Sequence, residues 1–257
     1  LRHPNIVQLI GGSWRVDSPA VLMVMEKCRG TLQDRLIDQD APLPMVRRLE
    51  ILLGVARALS YLHAQEPPIM HRDLKPENVL LMDDLSPKVS DFGSSREASR
   101  LSTTLIGTPL FAAPEVLSVD TGDGSSAAAS SSSYGLPADV WSFGCVIACV
   151  YLRCKYPFPR EVIAGVRFHD LALAVSSGAI VPNLPPRTSL LGLVGWSCCQ
   201  LAPAVRPSFL ELAEELSSEE IKAWAHQYDE QGGEPGSKRP SSAHAASNVR
   251  IYWGIYC

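Results

Sequence analysis

The sequence predicts an α+β fold in which a few short strands come early and helices dominate afterwards. Three observations carry this. Residues 6–10 and 21–25 are short apolar runs bounded by Gly, Pro and Asp, the pattern of two strands in an antiparallel pair. Between residues 45 and 63, Met45, Leu49, Leu52, Val55, Ala56, Leu59 and Leu62 recur at spacings of three and four, the period of an amphipathic helix. Residues 140–152 are apolar on every side, so they form a helix buried at the centre of a helical domain.

The remaining elements follow in chain order. Residues 31–37 read as a short helix. Pro44 suits the start of the long helix, where its missing N–H has no partner to lose. Residues 79–82 and 88–90 are short strands around an Asp-Asp turn and form a hairpin. Helices over 189–201 and 208–216 complete the pattern, the second with Ser208 and Glu211 at capping-box spacing. Residues 121–133, TGDGSSAAASSSS, have no apolar period and read as a flexible surface insertion. Residues 231–248 are rich in Gly, Ser, Pro and Ala and read as a disordered tail. Residues 251–257 are aromatic and apolar but too few to pack as an element alone.

Composition narrows the function. The chain has 257 residues, enough for one large domain or two modest ones. Hydrophobic residues make up 46% and charged residues 19%. The net charge of −4 argues against a nucleic-acid footprint. No apolar run reaches the ~20 residues of a membrane helix, and no signal-peptide pattern opens the chain. The seven cysteines include no Cys-x-x-Cys. They read as buried free thiols in a reducing compartment, which places the chain in the cytoplasm.

The chemistry is concentrated in residues 71–78, HRDLKPEN, and in Asp91-Phe92-Gly93 thirteen residues beyond. Phosphoryl transfer needs a carboxylate near the attacking hydroxyl, a cation near the moving phosphate and oxygen ligands for magnesium. Asp73 can accept or orient the hydroxyl proton. Lys75 can set its ammonium beside the same phosphate. Asn78 and Asp91 offer the hard oxygens that Mg²⁺ prefers. A hairpin between them would bring the two ligands together.

HRDLKPEN, DFG and Ala113-Pro114-Glu115, in this order, resemble the eukaryotic protein kinases. The resemblance implies Asp73 as catalytic base, Lys75 as the phosphate-contacting lysine, and Asn78 and Asp91 as magnesium ligands, with ATP as phosphoryl donor. It implies Met25 as gatekeeper, Glu26 to Cys28 as the hinge that meets adenine, and Leu80 beneath the adenine ring. His71 and Phe92 would stack in a hydrophobic spine with Leu9 above them, and Gly93 would complete the DFG turn. Arg72 would pair with a phosphorylated activation loop drawn from Ser94, Ser95, Ser99, Ser102, Thr103 or Thr104. Asp139 resembles the aspartate that braces the catalytic loop, and Arg206 the arginine that pairs with Glu115.

Lys75 and Thr108 resemble the pair found in serine/threonine-specific members, so the implied partner is a protein substrate with a Ser or Thr acceptor. VARALSYLH, PPIMHRDLKPENVLL and the Pro-x-x-Arg-Pro-Ser-Phe ending resemble the tyrosine-kinase-like group. Cys198-Cys199 stands where that group has Cys-Trp, so looser packing is expected there. The 24 residues from Glu115 to Asp139 are about a dozen more than the family suggests, which the insertion at 121–133 accounts for.

The resemblance runs over residues 1–216 and begins at His3-Pro4-Asn5, before the fourth strand of a kinase small lobe. The sequence holds no Gly-x-Gly-x-x-Gly; Gly11-Gly12 follows the first strand but lacks the rest. Nor is there a strand lysine or helix glutamate to anchor the α- and β-phosphates; Lys27 and Lys88 lie at the wrong positions. The expected division is a remnant of the small lobe and hinge at 1–28, a complete, mainly helical large lobe at 29–217, and a mostly disordered extension at 218–257. The expected function is a partial, N-terminally truncated protein serine/threonine kinase domain whose isolated chain is inactive or impaired. The alternative is an inactive truncated kinase or pseudokinase that serves as a protein-binding scaffold.

Overall fold

A computed structural model describes residues 1–14, 21–38, 40–91, 108–119, 135–158 and 167–232. Strands β1 (Leu9–Trp14) and β2 (Val21–Met25) form an antiparallel two-stranded sheet with a register shift between Leu9 and Gly11. Strands β3 (Gly30–Thr31), β4 (Val79–Leu81) and β5 (Pro87–Val89) form a second, three-stranded sheet in that order. The helices are α1 (Leu32–Ile37), α2 (Met45–His63), α3 (Pro114–Val119), α4 (Pro137–Leu152), α5 (Phe168–Ser176), α6 (Leu190–Cys198), α7 (Phe209–Leu216) and α8 (Glu219–Glu230).

Helix α4 is the axis of the domain. Every residue from Ala138 to Val150 is buried, the polar Asp139 and Ser142 among them. It packs on α6, and α2 packs on α7 and α8. Gly144 sits where α4 and α6 approach most closely, and a methyl group there would overlap the Cys199 sulfur. Cys198 and Cys199 are both buried. The looser packing expected at this pair is therefore not found: the small thiols let two helices close on a glycine. All six described cysteines are free.

The first strand departs from the apolar run that predicts it. Ile6 makes one parallel bridge to Val89 rather than joining β1. Val7 N donates to Val89 O at 2.9 Å, and Val89 N to Asn5 O at 2.8 Å. Asn5 also donates to Pro87 O at 3.0 Å. Residues 5–7 thus belong to the hairpin of the helical domain. Gly11 and Gly12 fall inside β1, not after it.

Successive strand residues face opposite sides, yet Leu22, Met23, Val24 and Met25 are all exposed. Neither face of the β1–β2 ribbon is covered among the described residues. Leu9, expected in a buried stack, is 54% exposed for the same reason.

The C-terminal extension also differs from expectation. Residues 219–230 form a helix, capped by Ser218, that packs on α2. Charged and exposed positions mask its apolar stripe, in which Ile221 and Ala225 are buried and Trp224 and Tyr228 lean on the core. Asp229 fastens it. Pro44 gives α2 no side-chain cap, and the Asp229 carboxylate accepts instead from Met45 N at 2.6 Å and Val46 N at 3.0 Å. A carboxylate at a helix N-terminus satisfies orphan donors and meets the positive end of the dipole. Asp229→Ala is expected to lower stability by ~1 kcal/mol, in the range of lost N-caps; urea denaturation checks it, and no change would show the cap to be idle. The insertion at 121–133 and the tail from 233 onward lie outside the described residues.

Candidate active site

The site lies where the loop before β4 meets the end of β5. Asp73 and Lys75 form an ion pair at 2.7 Å, both mostly buried. Asn78 donates from Nδ2 to Asp73 O at 2.8 Å and to Asp73 Oδ2 at 2.9 Å. Both contacts fix the amide plane and leave Oδ1 as the atom turned away from Asp73.

The hairpin carries Asp91 to this group. Val79 pairs with Val89, and Ser90 N donates to Asn78 O at 2.9 Å. Ser90 Oγ donates to the same carbonyl at 3.1 Å. Asp91 follows with a positive φ of 61°, a conformation few non-glycine residues adopt.

Asp139, on the first turn of α4, braces the loop from beneath. Its carboxylate accepts from His71 N at 2.8 Å and Arg72 N at 2.8 Å. His63 Nε2 lies 2.9 Å from the same Oδ2. Arg72 has φ 67°, a left-handed conformation that persists only where surrounding bonds over-determine it. Burial alone would raise the Asp139 carboxyl, but the bonds from His63, His71 and Arg72 outweigh it and hold the group below its ordinary range.

The buried His71 ring bonds through Nε2 to Ser90 O at 2.9 Å. Burial lowers its pKa below 6.5, against opposing pulls from Asp139 and the Ser90 carbonyl. A histidine with a depressed folded pKa gives stability that is full above the unfolded value and falls as pH drops through it. Thermal stability is expected to be level above about pH 7 and to decline below pH 6.5, before carboxylates titrate. His71→Gln is expected to flatten that upper limb; an unchanged profile would place the acid sensitivity elsewhere.

The residues expected as gatekeeper and hinge sit at the end of β2 and just after it. Met25 is exposed, Glu26 and Cys28 half-buried, and Leu80 half-buried on β4. Glu26 accepts from Gln8 N at 2.8 Å and pairs with Lys88 at 2.9 Å. Burial pushes the Glu26 carboxyl up, but these two donors win and hold it below its ordinary value. Burial raises the Cys28 thiol, with Glu26 adding to it.

Behind the site, Arg206 grips Glu115 with two bonds of 2.7 and 2.8 Å. The arginine side chain is fully buried. It also donates to Gln200 O at 2.8 Å and Pro137 O at 2.9 Å. Phe92, Gly93 and the activation-segment hydroxyls lie outside the described residues. Thr108 opens a short 3-10 turn, Thr108–Phe111.

Sequence reasoning missed three supports: His63 beneath Asp139, Ser90 between Asn78 and Asp91, and the Glu26–Lys88 pair. His63 left a signal, since it falls one turn after Leu59 on the apolar stripe of α2, where a polar group needs a buried partner. Ser90 and Lys88 left none.

The model of the protein kinase domain matches residues 1–216. The chain belongs to the protein kinase family. Two similar proteins carry provisional names. One is a serine/threonine-protein kinase/receptor of Acanthamoeba polyphaga mimivirus, 36% identical over 72% of this chain and 10% of its own length. The other is a serine/threonine-protein kinase of Dictyostelium discoideum, 31% identical over 85% of this chain and 27% of its own length. A receptor-like cytoplasmic serine/threonine-protein kinase of Nicotiana benthamiana is 35% identical over 57% of this chain and 30% of its own. The chain thus spans less than a third of each of these relatives.

Kinase domains as a class use ATP with a divalent metal and act on proteins. The donor chemistry fits such a metal: Asn78 and Asp91 both carry hard oxygens, and the bond from Ser90 N to Asn78 O sets their backbones side by side. No group of three His, Cys, Asp or Glu placed to hold a metal ion occurs among the described residues. No described helix is long and apolar enough to cross a membrane.

Proposed function

We propose that this chain supplies the catalytic lobe of an ATP- and Mg²⁺-dependent protein serine/threonine kinase that works in the cytoplasm. The observation that carries this reading is the bonded trio Asp73, Lys75 and Asn78, with Asp91 delivered to it through Ser90. Mg²⁺, held by Asn78 and Asp91, would neutralise charge on the phosphates. Asp73 orients the acceptor hydroxyl and takes its proton at Oδ1 or Oδ2. Lys75, already paired with Asp73, turns its ammonium to the transferring phosphate. Asp139 keeps the loop in its left-handed turn, so its backbone needs no rearrangement on binding. Met25, Glu26, Cys28 and Leu80 line the adenine side.

The 257 residues contain no Gly-rich loop and no strand lysine at the family position. Among the described residues the β1–β2 ribbon is uncovered on both faces, and a cleft open to water on that side weakens each electrostatic contact. That same observation favours a second reading, a kinase lobe that binds partners without turnover. The two separate by experiment. Mg-ATP at 100 times its Kd would raise stability by about 2.7 kcal/mol, read as a thermal shift that Asp91→Ala abolishes. Phosphoryl transfer to a Ser/Thr protein by this chain alone is expected below the ~1 per second at the low end of kinase rates. No shift at millimolar Mg-ATP would overturn the kinase reading, and turnover near one per second would overturn the impairment.

A further inference from the structure

The C-terminal end of α4 brings two thiols into contact, and the kinase chemistry uses neither. The helix ends at Leu152, and Arg153 beyond it is left-handed, with φ 49°. Cys154 N then donates back to Cys149 O at 3.1 Å. A bond of this span across a left-handed residue is the Schellman ending, which sets the side chains before and after the turn against each other. Here both are cysteines. The bonded amide and carbonyl hold the two Cα atoms no more than about 7 Å apart, and the bend at the carbonyl oxygen brings them closer. A disulfide spans about 4.4–6.8 Å between Cα atoms.

The side chains converge as well. The Cys149 and Cys154 thiols are hydrogen-bonded to each other. Cys154 Sγ donates to Tyr156 O at 3.1 Å, which makes its sulfur the acceptor for Cys149. The two differ in access: Cys149 is fully buried and Cys154 half-buried. Another pair supplies a contrast. Cys145 on α4 and Cys199 after α6 also touch, but both are buried. All four are reduced thiols. Of the two pairs, Cys149–Cys154 is the one with a member that solvent reaches.

We infer that Cys149 and Cys154 are a modification site, joined by a reversible disulfide under peroxide. The peroxide transfers one oxygen to the Cys154 thiol, giving a sulfenic acid and water. The Cys149 sulfur then attacks the Cys154 sulfur; the S–O bond breaks, and the hydroxyl leaves with the Cys149 proton as a second water. A small dithiol restores both thiols and is itself oxidised to its disulfide. Burial and the neighbouring thiol push the Cys149 thiol up, so the second step is slow beside that of an open dithiol. The bridge therefore accumulates under sustained oxidant rather than in a brief pulse.

The bridge has a mechanical consequence. Arg153 donates to Asp38 O and, at 2.9 Å, to Ala41 O. Arg48 Nη1 donates to Tyr151 O at 2.8 Å. Closing the turn between Cys149 and Cys154 holds the end of α4 against the loop that leads into α2, so local opening there becomes rarer.

The test exposes the full, reduced chain to hydrogen peroxide for hours, blocks the remaining thiols and digests it with trypsin without reductant. Cleavage after Arg153 separates the two cysteines, so the bridge is read as two joined peptides, about 2 Da lighter than the reduced pair. It is expected in most chains, absent from Cys149→Ala and from Cys154→Ser, and reversed by dithiothreitol. Cys145 and Cys199 are expected to stay reduced. Amide exchange at residues 151–154 is expected to slow about tenfold on oxidation and to recover on reduction. Cys154 carried to sulfinic acid with no bridge, or bridged to any other cysteine, would overturn the pairing. A Cys145–Cys199 bridge formed as readily would overturn the role of access, and exchange unmoved by oxidation would overturn the clamp.

Discussion

Asp139→Ala is expected to destabilise the domain by about 3–5 kcal/mol, because it strands several buried groups at once. The carboxylate accepts from two backbone N–H groups and faces His63, and its side chain is 1% exposed. Each buried donor left without a partner costs about 1–3 kcal/mol. For a domain of this size the loss corresponds to a fall in Tm of roughly 6–20 °C. Asp139→Asn should cost less but not little, since its amide must turn one N–H toward a donor. The effect reaches the site as well. Arg72 holds its left-handed turn only while Asp139 Oδ1 accepts its N–H. Without that bond the loop relaxes, and Asp73 moves relative to Asn78. Amide exchange at residues 71–73 is expected to quicken beyond the global change. A Tm loss under 2 °C with unchanged exchange would show that the loop holds its own shape.

This brace shows what was legible in the sequence and what was not. The helices were legible because their apolar periods are strong: Met45–His63 appears with the bounds its spacing predicts. The capping box of Ser208 and Glu211 appears as well, with both reciprocal bonds. The strands were less so. The run at 6–10 is apolar because Ile6 and Val7 pack on the hairpin, while Leu9 begins a ribbon that is exposed. Burial in two environments merged into one apolar signal. Helix α8 was missed because its charged residues dilute a stripe that needs α2 beside it.

The site divides in the same way. Asp73, Lys75, Asn78 and Asp91 stand out because local spacing constrains them. Their supports come from far along the chain: His63 from the end of α2, Asp139 from α4, and Asp229 from α8 to cap α2. Of these, Asp139 was legible through the family resemblance, while His63 and Asp229 were not, since contacts between distant residues leave no spacing to read. A polar residue on an apolar helix face, such as His63 or Asp139, is the one trace they leave.

Separating Glu115 from Arg206 is expected to rank with the loss of Asp139. Arg206 is fully buried and makes two bonds to the Glu115 carboxylate. Removing one partner of a buried pair leaves an uncompensated charge and costs about 3–5 kcal/mol. The two single variants should differ. In Glu115→Ala the guanidinium keeps its bonds to Gln200 O, Pro137 O and Leu201 O and its place 5.3 Å from the Trp141 ring. In Arg206→Ala those three carbonyls lose their donor together, and α3, α4 and the loop after α6 lose their common tie. Arg206→Ala is therefore expected to be the more damaging. Glu115 is 22% exposed and can turn to water once freed. Arg206→Lys should not rescue, because an ammonium cannot span the fork of donors that this geometry uses. Urea denaturation of both single variants and the double variant gives the coupling directly. The double variant should cost clearly less than the sum of the two. Strict additivity would mean that the pair contributes through its carbonyl bonds alone, and that Glu115 is incidental to the anchoring of α3.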